Sequence, residues 1–173
     1  MGHIATSNIN IDLSAKEAWK ILSDFSLAHN YVPGIDKCTI TTEKKKGVGA
    51  SRRVSGKQQN IEETITEWNE GKGFTIRLHK GEKTPFPFKE AHFTYRIDAL
   101  DDKCCKLTTT LIYETGLLGS LLHTLGIGAM IRKNIRDVAL SMKHFYETGK
   151  ATTPDDLKEL RKIPEGKLPR PYQ

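Results

Sequence analysis

Leu117–Glu147 reads LLGSLLHTLGIGAMIRKNIRDVALSMKHFYE, and no earlier part of the chain resembles it. From Ile127 the apolar residues fall at Ile127, Ile131, Ile135, Val138, Met142 and Phe145. Steps of three and four put all of them on one face of an α-helix. Arg132, Lys133, Arg136, Asp137 and Lys143, lying between them, predict the solvated side of that helix. Upstream, Leu117, Leu118, Leu121, Leu122 and Leu125 continue the apolar surface but are broken by Gly119, Gly126 and Gly128. Glycine weakens a helix interior by about 1 kcal/mol relative to alanine, so the first half of the stretch is predicted to be looser than the second.

A long amphipathic helix needs a surface to cover, and Ala5–Thr115 supplies it as strand. Ile9, Ile11 and Leu13 alternate with Asn8, Asn10 and Asp12, predicting a half-buried strand over Ala5–Leu13. Ser14-Ala-Lys-Glu17 reads as a capping box opening a helix that carries Ala18, Trp19, Ile21 and Leu22. A short helical turn over Asp24–Asn30 is ended by Pro33-Gly34. Strands are predicted at Ile35–Thr42, Ala50–Ser55, Gln59–Trp68, Phe74–Leu78, Phe88–Ala99 and Cys105–Tyr113, with glycine and charged turns between them. Pro85 and Pro87 keep Gly81–Pro87 out of any interior strand. The order β-α-α-β-β-β-β-β-β-α predicts one α+β domain over residues 1–149. Residues 150–173 hold a short amphipathic piece, Leu157–Ile163, then Pro164, Pro169 and Pro171, and are expected to be a peripheral or mobile tail.

The totals narrow the class. A chain of 173 residues with 37% hydrophobic and 28% charged residues is long enough for a real core and has the composition of a soluble globular protein. No signal peptide is read at the start, and the weakly polar run Gly116–Ile131 is shorter than the roughly 20 residues a bilayer span needs. Cys38, Cys104 and Cys105 are odd in number and poorly placed for a staple, which points to the reducing cytoplasm. The net charge of +6 would suit nucleic acid or a lipid surface. The basic residues are scattered without interleaved aromatics, so nucleic acid is disfavoured and transient membrane-surface contact stays open.

The motifs add a resemblance. The strand and capped helix of Ile11-Asp-Leu-Ser-Ala-Lys-Glu-Ala-Trp19-Lys-Ile-Leu-Ser-Asp24-Phe25 resemble the opening of the START-like, or SRPBCC, superfamily. Val48-Gly49-Ala-Ser-Arg52 followed by Glu63-Thr-Ile65 is similar to the strands of its bacterial polyketide cyclase/dehydrase and lipid-transport branch. Gly116-Leu-Leu-Gly119 entering the last helix fits as well. The resemblance spans residues 5 to 147 and takes in the Bet v 1 allergens. It implies a helix-grip fold, in which a curved antiparallel sheet of about seven strands wraps a long C-terminal helix. An apolar cavity is left between them. By this resemblance Phe74, Phe93, Tyr95, Leu111, Ile127, Ile131 and Ile135 would line the cavity. The loops carrying Gly56, Lys57, Gln58, Pro85 and Pro87 would frame its entrance. Leu117–Gly128 would be a movable wall, a use of its glycines that close helix–sheet packing explains equally.

Candidate chemistry rests on few residues. A turn at Lys57-Gln58 sets Arg52 opposite Glu63, with Arg52 sharing a face with Ala50 and Val54 and Glu63 with Ile61 and Ile65. Such a pair inside the cavity would bind or act on a polar head. The same pair on the sheet's solvated face would be structural, a reading favoured by how common such pairs are. Tyr95, Tyr113 and Thr109 are candidate inward hydrogen-bonding groups, or core residues with satisfied hydroxyls. His123 is a candidate acid or base, or a histidine on the helix's outer side. His79 and His92 would neighbour each other across a symmetric loop, but no third ligand lies nearby, so no metal is expected. No nucleotide loop, dinucleotide fingerprint or nucleophile motif is present, and no cofactor is expected.

Three functions follow. The leading one is a carrier or binder of a small hydrophobic or amphipathic ligand, lipid- or polyketide-like. The second is a cyclase or dehydratase acting on a bound carbonyl compound, with Glu63, Arg52, Tyr113 or His123 as acid–base groups. The third is an interaction module whose basic C-terminal tail docks on a partner. Oligomeric state and ligand identity are left open.

Overall fold

The computed structural model describes residues 2–57, 59–116 and 126–162. Strand β1 (Gly2–Ile11) leads into helix α1 (Ala15–Leu22), and a 3₁₀ turn follows at Ala28–Asn30. Then come β2 (Lys37–Ile40), β3 (Ser51–Ser55), β4 (Asn60–Asn69), β5 (Gly73–His79), β6 (Phe88–Ala99) and β7 (Cys105–Thr115). Helices α2 (Gly128–Thr148) and α3 (Pro154–Leu160) end the described chain. The strands form one seven-stranded sheet in the order β1-β7-β6-β5-β4-β3-β2, every pair antiparallel.

Local chemistry accounts for the elements. Ser14 caps α1 as the sequence predicts: its hydroxyl accepts from the Glu17 N–H at 3.2 Å, and the Glu17 carboxylate accepts from the Ser14 N–H at 3.0 Å. The long strands β6 and β7 bury alternate residues, as in β6, where Ala91, Phe93, Tyr95 and Ile97 point inward. Register shifts at Ile65/Glu67 and Phe88/Glu90 bend the sheet, as bulges do. Helix α2 lies against β1 and β7, burying Ile131, Ile135, Val138 and Met142 beside Ile9, Ile11 and Leu107. Gly149 ends it with φ of 69°, a left-handed cap open to glycine at little cost.

Two of the five charged residues expected on the solvated side of this helix are buried. Lys143 donates to the Asn10 carbonyl at 2.9 Å and to Glu147, which ties the end of α2 to the end of β1. Asp137 is 3% exposed and accepts two hydrogen bonds from Arg161 at 2.8 and 2.6 Å. The tail expected to be peripheral is docked over residues 150–162. Thr152 donates its N–H to the Asn30 carbonyl and its hydroxyl to the Ser141 carbonyl, both at 2.9 Å, and Leu157 is buried in the core. The glycine-broken wall Leu117–Leu125 and Pro164, Pro169 and Pro171 lie outside the described residues.

Candidate functional site

Between sheet and helix lies a cavity of about 230 Å³. Leu78, Phe93, Tyr95 and Leu111 form its sheet side, and Ile135 and Val138 of α2 close it opposite. Val32, Pro33 and Ile35, from the segment after the 3₁₀ turn, form a third wall with Val54 and Ile61. Polar groups in the lining are few: Glu63 and Tyr95 with Gln59, Asn134 and Asp137. An apolar body with a handful of placed polar groups is what a small-molecule site looks like.

Behind Glu63 stands Arg52, fully buried. Its Nε donates to Glu63 at 2.5 Å, its Nη1 donates to the Phe25 carbonyl at 2.8 Å, and its guanidinium sits 4.1 Å above the Phe25 ring. The β3–β4 register sets Arg52 opposite Glu63, and inward parity puts the pair in the interior rather than on the solvated face. Arg52 Nη2 and the hydroxyls of Tyr31 and Tyr146 are buried with no hydrogen-bond partner among the described residues. A buried donor left unpaired costs about 1–3 kcal/mol, and none of these three residues belongs to the cavity lining.

Burial holds the phenols of Tyr31, Tyr95 and Tyr146 above their ordinary range, so at neutral pH they are neutral donors. Burial likewise pushes the Cys105 thiol up to about 12. These groups stay protonated in the fold while the unfolded chain ionises them from about pH 8.5 to 10. Above that window the unfolded state binds fewer protons than the folded one, so stability falls with rising pH. For Cys105 the fall continues until about 12. Urea midpoints measured from roughly pH 8 upward are expected to drop steadily; a level series to about pH 11 would contradict these protonation states.

The other expected site residues divide. Phe93, Tyr95, Leu111 and Ile135 line the cavity. Phe74 does not; it stacks on Trp68 at 5.5 Å and meets Phe25 edge-on at 5.7 Å, inside the solid core. Ile131 is buried in the core and Ile127 packs against it, neither being part of the lining. Tyr113 is buried near Phe88 and His3, also away from the lining. The Thr109 hydroxyl donates to the Ser7 carbonyl, which satisfies it. His123 and Gln58 lie outside the described residues. His92 faces Arg77, and His79 instead sits beside Glu62 and Thr64, so the two histidines are not cross-strand neighbours. Among the described residues no three His, Cys, Asp or Glu side chains gather as metal ligands would.

Gln59 reaches the lining, whereas Gly56, Lys57, Pro85 and Pro87 do not. Gly56 instead packs on Gly34: a Cβ there would lie 1.8 Å from the Gly34 carbonyl oxygen. That close approach seats the Tyr31–Asp36 segment, which supplies the third wall and which the sequence reading passed over. Asn30-Tyr-Val-Pro-Gly34 carried a signal, two apolar or aromatic residues, Tyr31 and Val32, too close to a proline for a strand.

The family described as polyketide cyclase / dehydrase and lipid transport matches residues 2–144. Solved structures with the same fold include norcoclaurine synthase from Thalictrum flavum, in complex with dopamine and hydroxybenzaldehyde. It is 12% identical, with a TM-score of 0.67, covering 88% of this chain and 90% of that one. A START superfamily protein from Mycobacterium smegmatis is 17% identical, with a TM-score of 0.65 and coverage of 86% and 99%. The protein Ara h 8.0201 is 13% identical, with a TM-score of 0.64 and coverage of 84% and 98%. No curated protein matches the chain by sequence.

Proposed function

Since the chain belongs to the family described as polyketide cyclase / dehydrase and lipid transport, we propose that its cavity holds one small hydrophobic or amphipathic ligand. The observation that carries this is the cavity itself, apolar in its walls, with Glu63 and Tyr95 as inner polar groups. Its volume of about 230 Å³ falls below the roughly 300–1,000 Å³ of drug-sized sites, which favours a compact ligand over a long acyl chain. A synthase of the same fold takes dopamine and hydroxybenzaldehyde, which suits that size. Affinity comes from apolar area removed from water, at about 25 cal/mol per Å². Orientation comes from the Glu63 carboxylate, which accepts from a ligand hydroxyl or amine, and from the Tyr95 phenol. No described helix is long and apolar enough to cross a membrane. A cytoplasmic location, inferred from the cysteines, belongs to this proposal.

The test is native mass spectrometry of chain purified from its own host, followed by titration with an anilinonaphthalene sulfonate probe. A near one-to-one complex with a small amphipathic compound is expected. Leu111→Trp fills the sheet side of the cavity and should weaken probe binding by at least about tenfold with the circular dichroism spectrum kept. Unchanged probe binding in that variant sinks the reading. The second reading, a cyclase or dehydratase, is favoured by one observation: Glu63 and Tyr95 present an acceptor and a donor to the same space. A released compound recovered unchanged after incubation speaks for the binder, and one converted by the chain but not by Glu63→Gln speaks for the enzyme.

A further inference from the structure

We propose that the cavity selects an amphipathic amine, bound as the ammonium with its charge at Glu63, over an acid of the same shape. This deepens the ligand-binding reading and rests on it. The lining carries two carboxylates, Glu63 and Asp137, and among the described residues no Lys, Arg or His. Each carboxylate is held by an arginine, Glu63 by Arg52 and Asp137 by Arg161, and neither arginine belongs to the lining. Both ion pairs therefore turn their negative member to the cavity and keep their positive member behind it.

Of the two carboxylates, Glu63 has acceptor capacity left. Arg161 binds both oxygens of Asp137, at 2.8 and 2.6 Å. Arg52 binds only Oε2 of Glu63, and among the described residues nothing donates to Oε1. Glu63 is buried, so Oε1 is a charged acceptor with little access to bulk water. An ammonium donates to that oxygen and brings the opposite charge, which makes the hydrogen bond one of the stronger, charge-assisted kind. A carboxylate in its place would meet a like charge where little water screens it, with the Arg52 guanidinium on the far side of Glu63. The rings of Phe93 and Tyr95 also line the cavity, and aromatic faces attract cations rather than anions. Beside the Tyr95 phenol, the neutral donors open to an anion are the amides of Gln59 and Asn134, both exposed. They mark the rim, where the sulfonate of the anilinonaphthalene probe would sit.

The test is calorimetric titration of the full chain, at neutral pH, with three probes of one shape: phenylpropylamine, phenylpropanol and phenylpropanoate. The amine is expected to bind at least about tenfold tighter than the alcohol and about a hundredfold tighter than the acid. In the pair variant Arg52→Leu with Glu63→Leu, which removes both charges together, the amine's lead over the alcohol should shrink by at least about tenfold. Circular dichroism checks that this variant keeps the fold, and the three affinities in the parent chain decide the matter without it. Equal affinities in the parent, a preference for the acid, or an undiminished amine lead in the folded pair variant overturns the selectivity and leaves the cavity a binding site. Binding by none of the three overturns the selectivity too. The response of the anilinonaphthalene probe to Leu111→Trp then tells whether the binder reading falls with it.

Discussion

Arg52→Leu is expected to lower the free energy of unfolding by about 3–5 kcal/mol, the cost of leaving one member of a buried ion pair without the other. Glu63 is 7% exposed, and the guanidinium is its only ion-pair partner among the described residues. The same change removes the donor to the Phe25 carbonyl and the cation over the Phe25 ring, so the turn after α1 loses part of its seat on the sheet. Against a total stability of about 5–15 kcal/mol this is a large fraction, readable as a lower urea midpoint at unchanged slope. The pair variant Arg52→Leu with Glu63→Leu is expected to recover much of the loss, because apolar side chains of similar size remove both charges together. If Arg52→Leu alone unfolds at the parent's midpoint, the pair is solvated in solution. Glu63 then loses its standing as a held carboxylate in the cavity wall.

How this pair lies in the fold shows where sequence reading works and where it stops. Register was legible, because a short turn after Ser55 leaves few alternatives and sets Arg52 against Glu63. Parity was legible too, since Arg52 alternates in step with Ala50 and Val54, both buried. Burial of the charge was not, because the same pattern suits a pair on a solvated face. What decides between the two is the Phe25 carbonyl and ring, which arrive from a distant turn. Phe74 failed for a similar reason. Alternation puts it inside, but only Trp68 and Phe25 packing on its ring make that position solid core rather than cavity. Asp137 and Lys143 read as solvated because helical periodicity sees one neighbour, the sheet. It does not see the end of β1 or the returning tail that cover the opposite side.

That returning tail carries the second large effect. A chain ending at Gly149 is expected to lose about 3–5 kcal/mol of stability. Leu157 leaves the core, and burying a leucine is worth about 1.5–3 kcal/mol. Asp137, 3% exposed with the tail in place, loses both hydrogen bonds from Arg161. Arg161→Ala isolates that share and should cost about 1–3 kcal/mol, less than a fully buried pair because the arginine's side chain is 40% exposed. The two variants also separate the functional readings. An interaction module needs its tail available to a partner, and truncation would then abolish partner binding and leave the urea midpoint where it was. Here residues 150–162 are bound to α2 and to the Asn30 carbonyl, next to the Tyr31–Asp36 segment that walls the cavity. Truncation should therefore lower the midpoint and weaken probe binding together, because Asp137 lies in the cavity lining and in the ion pair at once. A truncated chain as stable as the parent would release the tail for a partner and return the interaction module to first place.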